Sequence, residues 1–262
     1  MHLHQDQPQD PSLPPLFPTS TTTQQQSALP THGDHHYHHE DDQQSDPKKH
    51  AKHLYFAYGS NLSPTQMSIR CIHNPSLSAT PVAIAALDDW RWLICQFGYA
   101  NVVPPPGLRV GRQVTEGSAV PESVSPSLPG GGVFGVLYEM DWEDEEVLDG
   151  YEGVDGCATL SGGEGEVPGS IRPTEQGDGL YNKWYIGARI VRWLDEGYRE
   201  RNGFEVGGKV RVLVYIDELR VRVGDPKDEY IPRMNRAIRE AVELGFPEDW
   251  AEAVMRPSLP KQ

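Results

Sequence analysis

The chain has 262 residues and a formal net charge of −15, with 23 Lys and Arg against 38 Asp and Glu. Its first 52 residues are rich in Pro, Gln, Ser, Thr, Asp and His without apolar periodicity, so we expect a disordered low-complexity tail at 1–52 and one domain at 53–262. The tail holds three Lys and seven Asp or Glu, which leaves the domain at −11 and argues against a nucleic-acid partner. No run approaches the ~20 apolar residues of a membrane helix, and no signal-peptide pattern is present, so we expect a cytoplasmic protein that contacts no membrane.

Neither the cysteines nor the histidines predict a structural metal site. The three cysteines are widely separated and show no C-x-x-C spacing: Cys71, Cys95 and Cys157. Four histidines lie close together in the tail: His35, His36, His38 and His39. They could hold a transition metal through neutral imidazoles, but a solvated His-rich tract is the simpler interpretation.

The domain opens with a predicted strand, loop and helix. Residues 54–58 are apolar and aromatic and precede a Gly-Ser-Asn run, which is typical of a buried strand that ends in a tight loop. Ser63 is an N-cap candidate, followed by Pro and, three residues after the cap, by Gln66. We therefore expect two amides of this helix to be satisfied by side chains.

The remaining elements follow from hydrophobic periodicity. Strands are predicted at 79–86, 90–97, 133–140, 184–193 and 209–216, and helices at 141–148, ended by Gly150, and at 247–255. A stripe at helical spacing predicts a core helix: Ile231, Met234, Ile238, Ala241 and Val242. Regular structure is expected to break at 98–101 and 104–107, and two segments without periodicity are expected to be insertions, a long loop at 108–132 and a mobile Gly-rich segment at 155–179.

Two places along the chain could carry chemistry. The loop after the first strand offers backbone amides, small polar side chains and a helix N-terminus, which suits a small carboxylate, although an ordinary strand-to-helix connection is equally consistent with it. Glu152 follows the predicted helix end at 148, where the helix dipole and partial burial would both disfavour its ionisation and so suit it to proton transfer. The alternative for Glu152 is an exposed loop carboxylate, as we expect for its acidic neighbours.

The two places together resemble the γ-glutamylcyclotransferase family. The first motif is Tyr-Phe-Ala-Tyr-Gly-Ser-Asn-Leu at 55–62, and the second is Leu-Asp-Gly-Tyr-Glu-Gly-Val at 148–154, in the family's order. Tyr230 matches a family Tyr that precedes the last long helix. The resemblance covers most of residues 53–260 and departs from the family at the two insertions.

The resemblance implies an α+β fold, a small mixed β-barrel flanked by helices, and no cofactor. It implies that Glu152 is the catalytic acid/base. The substrate-binding residues that it implies are Tyr55, Phe56, Ala57, Tyr58, Gly59, Ser60 and Tyr230. The implied enzyme is a carbon–nitrogen lyase of glutathione metabolism, in the amidine-lyase class, that converts γ-glutamyl amino acids to 5-oxoproline and a free amino acid.

Three alternatives stay open at this stage. A γ-glutamylamine cyclotransferase would share the site and differ in the leaving group, and a non-catalytic ligand-binding or interaction domain could keep the same fold. A hydrolase with Cys71 or Ser60 as nucleophile is disfavoured because no base partner is evident for either. The assembly state is also open, with a homodimer as one candidate.

Overall fold

The computed structural model describes residues 53–105, 131–159, 167 and 169–260. The tail, with its cluster of four histidines at 35–39, lies outside the described residues, as do most of the insertion at 108–132 and part of the segment at 155–179. The described residues all belong to the unit His50–Gln262. The predictions about the tail therefore stay predictions.

Seven strands form a closed barrel and a separate hairpin. They are β1 (His53–Ala57), β2 (Pro81–Asp88), β3 (Arg91–Ile94), β4 (Ala100–Val103), β5 (Gly132–Met140), β6 (Asn182–Trp193) and β7 (Lys209–Ile216). The barrel has the order β1-β5-β2-β6-β7, and β3 pairs with β4. Within the barrel β1 and β7 are parallel and the other pairings are antiparallel. The predicted fold class, a small mixed β-barrel with helices around it, is confirmed.

Helices and helical turns cover the barrel. They are a 3₁₀ turn (Ser60–Leu62), α1 (Pro64–Arg70), α2 (Pro75–Ser78), α3 (Trp142–Glu152), α4 (Glu196–Asn202), α5 (Tyr230–Glu243) and α6 (Glu248–Trp250), which continues as a π-helical turn (Ala251–Met255) and a 3₁₀ turn (Arg256–Ser258). Neither α2 nor α4 was predicted, because each is one or two turns long and carries too few apolar residues to show a period. No helix within the described residues is long and apolar enough to cross a membrane.

Strand β6 shows how the sequence forms one wall of the barrel. Its side chains alternate along the strand, with Trp184, Ile186 and Ala188 buried and the residues between them more exposed. Successive residues of a strand point to opposite faces, so this period of two places one face in the core. The core fills the barrel interior and continues under α5, where the predicted stripe is buried at Met234 and Ile238.

The hairpin of β3 and β4 corrects one prediction. We expected regular structure to break at 98–101, but β4 begins at Ala100 and pairs with β3. Gly98, at φ +88°, makes the tight turn, and its N–H donates to the carbonyl of Cys95 at 2.8 Å. The glycine therefore marks a chain reversal inside a hairpin instead of the end of the sheet structure.

The described part of the segment at 155–179 is held against the barrel, which differs from the mobile insertion that we expected. Arg172 forms a bidentate ion pair with Glu218, with Nε to Oε1 at 2.8 Å and Nη2 to Oε2 at 2.5 Å. Both side chains are buried. Gln176, also buried, donates to the carbonyls of Gly179 and Leu180. The segment at 155–179 shows no hydrophobic periodicity because polar side chains anchor it, and a hydrophobic pattern does not detect such contacts.

Candidate active site

The loop after β1 is folded tightly onto the start of α1. Gly59 begins the 3₁₀ turn, and its carbonyl accepts from the N–H of Leu62 at 2.9 Å. Ser63 then caps α1, since its hydroxyl accepts from the N–H of Gln66 at 3.0 Å. Ser60 and Asn61 are buried, and Gly59 is partly exposed. The predicted order of strand, loop and capped helix is confirmed.

The N-terminus of α1 already holds a carboxylate of the protein itself. Oε2 of Glu240, from α5, accepts from the hydroxyl of Ser63 at 2.5 Å and from the N–H of Thr65 at 3.2 Å. We expected Gln66 to serve as the second cap, but its Oε1 accepts from Arg236 instead. A carboxylate complements the positive end of a helix. That end of α1 is therefore filled from α5 and does not offer the open anion site that the sequence suggested.

Glu152 is the last residue of α3, and its carboxylate is held at one oxygen only. Oε1 accepts from Nδ2 of Asn61 at 3.0 Å and from Nη1 of Arg70 at 2.9 Å. Within the described ranges Oε2 makes no hydrogen bond. The side chain is 16% exposed. The free oxygen can therefore accept or return a proton.

The end of α3 explains how Glu152 reaches this position. We predicted that the helix would stop at 148, with Gly150 after it, but it continues to Glu152 and is capped by Gly153, at φ +64°. A glycine adopts this left-handed conformation without the strain that a Cβ would cause. The carbonyl of Gly153 accepts from the N–H of Leu180 at 2.8 Å. The cap therefore ties the helix end to the segment that precedes β6.

Asn61 and Arg70 were not predicted as site residues. Nδ2 of Asn61 also donates to the hydroxyl of Tyr55 at 2.9 Å, so one amide joins the first motif to the second. The Arg70 guanidinium lies 4.8 Å from the centre of the Tyr151 ring. Asn61 lies within the first motif, whereas Arg70 lies eight residues after the end of that motif, and only the position of α1 brings Arg70 to Glu152.

Tyr230, the first residue of α5, packs directly against the loop. A Cβ placed on Gly59 would lie 2.9 Å from the Tyr230 hydroxyl oxygen, so only glycine allows this approach. Burial raises the pKa of Tyr230 to about 12, although the Arg233 guanidinium and hydrogen bonds from the backbone amides of Ala100 and Ser60 lower it. Tyr230 is therefore a protonated phenol at neutral pH and can donate its proton.

The other predicted binding residues fall into two groups. Tyr55 and Tyr58 are buried phenols, and burial, followed by the charge of Glu152, raises the pKa of each well above its usual range. The Tyr58 hydroxyl donates to the carbonyl of Tyr215 at 2.6 Å. Phe56 and Ala57 have no exposed surface. The last two shape the strand under the loop, and their assignment as binding residues stays a prediction.

Tyr181 is a further phenol that the sequence analysis did not assign. Its hydroxyl donates to the carbonyl of Ala100 at 2.7 Å. Burial, followed by its neighbours Tyr58 and Tyr230, raises its pKa well above the usual range. No motif marks Tyr181, because it lies just after the irregular segment. The residue adds a neutral phenol near Tyr58 and Tyr230.

A patch of cations and rings adjoins Tyr230. The Tyr99 ring meets the Tyr230 ring edge-to-face, with centroids 5.0 Å apart. Nζ of Lys227 lies 4.5 Å from the Tyr99 ring centre and 4.1 Å from that of Phe97. Within the described part of the chain Lys227 pairs with no carboxylate, whereas Arg233 is bound to Glu229 at 2.9 Å. The charge of Lys227 is thus met by two aromatic rings and not by a carboxylate of the described residues.

No protein-family model and no curated protein sequence matches this chain. Solved structures do resemble it in fold. One described as a gamma-glutamyl cyclotransferase is 18% identical, with 79% of this chain and 88% of that chain covered and a TM-score of 0.47. An uncharacterised protein from Homo sapiens is 19% identical, with 78% and 87% covered and a TM-score of 0.46.

A third solved structure is described as a gamma-glutamyl cyclotransferase from yeast that is specific to glutathione. It is 12% identical, with 81% of this chain and 90% of that chain covered and a TM-score of 0.38. All three scores lie below 0.5 and all three identities below 20%. None of these three likenesses therefore bears on the function of this chain.

Proposed function

We propose that the protein is a γ-glutamylcyclotransferase that cyclises the γ-glutamyl group of γ-glutamyl amino acids to 5-oxoproline and releases the free amino acid. The observation that carries the proposal is the carboxylate of Glu152, which is fixed at Oε1 and makes no hydrogen bond at Oε2 with any residue that the structure describes. It lies among protonated phenols, beside the loop that joins β1 to α1. The two sequence motifs, 91 residues apart at Asn61 and Glu152, meet in one hydrogen bond.

The reaction needs one group that moves protons. The substrate α-amine attacks its own γ-carbonyl carbon, a C–N bond of the five-membered ring forms, and the bond to the departing nitrogen breaks. Oε2 of Glu152 takes a proton from the α-ammonium and later gives a proton to the departing nitrogen. A positioned group in this role contributes roughly 10² to 10⁴ to the rate. Water is not a reactant.

Tyr230 supplies a hydrogen-bond donor without supplying charge, whereas the Tyr58 hydroxyl already donates to the carbonyl of Tyr215. Burial raises the pKa of Tyr230 to about 12, so its proton is available to the substrate carboxylate or to the oxygen that becomes negative at the γ-carbon. Tyr55 and Tyr58 likewise remain neutral. Glu152 is then the charged partner of the substrate α-ammonium, and Tyr230 is a neutral donor to the substrate carboxylate or to the developing oxyanion.

The leaving group is proposed from the patch beside Tyr230. Lys227 carries a charge that no carboxylate of the described residues neutralises, and it reaches the Tyr99 hydroxyl at 3.4 Å. An α-amino acid leaving group carries its carboxylate on the carbon bonded to the departing nitrogen, whereas the lysine released from γ-glutamyl-ε-lysine carries it at the far end of its side chain. The cation therefore favours γ-glutamyl amino acids over γ-glutamyl amines.

The test is release of 5-oxoproline from γ-glutamyl-alanine by the purified full chain, with γ-glutamyl-ε-lysine as the second substrate. We expect turnover of the first substrate and weaker turnover of the second. Turnover of the amine substrate alone would assign the γ-glutamylamine reaction instead. Binding of γ-glutamyl-alanine with no turnover of either substrate would favour a non-catalytic domain of this fold.

A further inference from the structure

Both groups that hold Glu152 come from one short stretch of chain. Asn61 lies in the 3₁₀ turn and Arg70 is the last residue of α1, and both donate to the same oxygen, Oε1. A single donor would leave the carboxylate free to rotate about that contact. Two donors on one oxygen fix the plane of the group, and they leave Oε2 on the side away from them.

Arg70 places a charged side chain in a buried position that an apolar side chain of similar length could fill. Its side chain is 5% exposed, and its Nε is buried and makes no hydrogen bond in the described part of the chain. A buried N–H without a partner costs about 1 to 3 kcal/mol, which a Met or Leu of similar length would avoid. The Glu152 carboxylate is the one acidic group with which Arg70 pairs among the described residues. The burial of the Arg70 charge is therefore explained by its ion pair with Glu152.

The orientation of Arg70 is itself set by the end of α3. Its guanidinium lies 4.8 Å from the centre of the Tyr151 ring, while Nη1 donates to Glu152. A planar guanidinium can lie over a ring and donate in its own plane at once, whereas an ammonium group is a point charge without this preference. Adjacent residues of α3 thus fix both the place and the tilt of the group.

We propose that Arg70 is a positioning residue, which orients the Glu152 carboxylate so that Oε2 faces the substrate. The inference rests on the proposed function of Glu152. Arg70 makes no step of the reaction itself. Its loss would leave Glu152 present but free to turn, which lowers the rate of the chemical step more than it changes substrate binding.

The first test separates kcat from KM in Arg70→Met and Arg70→Lys. We expect kcat on γ-glutamyl-alanine to fall by about 10²-fold in Arg70→Met, the effect of a small misplacement of a reacting group, with KM nearly unchanged. Arg70→Lys should recover part of the loss. Low, non-denaturing concentrations of guanidinium should restore turnover to Arg70→Ala. The matched control is Arg236→Met, which removes an arginine that bonds α1 to α5 through Gln66 and should keep the wild-type kcat.

A second test needs no activity. Melting temperatures are compared for Arg70→Met, Glu152→Gln and the double variant, and we expect the double variant to lose less than the sum of the two single losses. Additive losses, or an unchanged kcat in a folded Arg70→Met protein, would overturn the inference. If the wild-type protein turned over no γ-glutamyl substrate while the losses stayed non-additive, the proposed function would fail and the pairing of Arg70 with Glu152 would stand.

Discussion

Gly59 and Tyr230 are in such close contact that a Cβ on the glycine would lie 2.9 Å from the tyrosine hydroxyl oxygen. The contact joins the first motif to the start of α5, more than 170 residues later in the chain. The backbone of Ala100 and of Ser60 near the same hydroxyl lowers its pKa, against the larger effect of burial, which raises that pKa to about 12. The loop and Tyr230 are therefore one structural unit, and each fixes the position of the other.

Replacing this glycine should displace Tyr230 while the barrel stays folded. We expect Gly59→Ala to lower kcat/KM on γ-glutamyl-alanine by about 10²-fold, because the phenol must move by several tenths of an ångström or more. Gly187→Ala is the matched control, since a Cβ there meets nothing within 4 Å. The measurement is 5-oxoproline release with circular dichroism on both variants. Wild-type kcat/KM in a folded Gly59→Ala protein would show that the contact does not serve the reaction.

Tyr230 should act as a donor across the neutral and mildly alkaline range. Because burial raises its pKa to about 12, loss of its proton does not limit activity up to about pH 10. Tyr230→Phe should lower kcat by about 10² to 10³ by a nearly constant factor over this range. The measurement is the pH dependence of kcat for both proteins. A wild-type alkaline limb below pH 10 that disappears in Tyr230→Phe would contradict a protonated donor.

The sequence predicted secondary-structure elements where hydrophobic residues recur at a regular spacing. It predicted site residues only where they lie in a contiguous motif. Hydrophobic patterns predicted the strands at 133–140, 184–193 and 209–216 and the stripe of α5, whereas the barrel itself was implied only by the family resemblance. Arg70 carries no such mark, because its partner lies 82 residues away and the pairing depends on how α1 packs. The same holds for Glu240, which fills the start of α1 from a helix 175 residues further on.

Lys227 should select the leaving group. We expect Lys227→Met to lower kcat/KM on γ-glutamyl-alanine about tenfold, which corresponds to roughly 1.4 kcal/mol of lost interaction with the amino acid carboxylate. The amine substrate, whose leaving group lacks that carboxylate at the same place, should be unaffected. Lys209→Met, at the exposed start of β7, is the control. An equal loss on both substrates would show that Lys227 does not contact the leaving group.

The buried charges on α3 should govern stability in acid. Burial alone would raise the pKa of Glu145, but hydrogen bonding and charge from His53 and Lys183 outweigh it and hold the pKa below its ordinary value of 4.5. A lowered carboxyl pKa in the folded state contributes stability above pH 4.5, and that stability is lost as the pH falls below it.

Glu145→Gln should therefore lower the free energy of unfolding by about 3 kcal/mol at neutral pH and flatten its decline in acid. Asp149, whose pKa burial raises, works in the opposite direction and is present in both proteins. The measurement is urea unfolding at a series of pH values, with Glu146→Gln, an exposed neighbour on the same helix, as control. If the free energy of unfolding fell equally steeply with pH in wild type and Glu145→Gln below pH 4.5, the role of Glu145 would be contradicted.

The most direct measurement is 5-oxoproline release from γ-glutamyl-alanine by wild type, Glu152→Gln and Glu146→Gln at equal protein concentration. The amide in Glu152→Gln keeps the shape of the side chain and can still accept at one atom, but it cannot take up and return a proton. We expect turnover by wild type and Glu146→Gln, and a loss of at least about 10²-fold in a folded Glu152→Gln protein. Near wild-type turnover by Glu152→Gln would contradict the assignment of Glu152 as the group that moves protons.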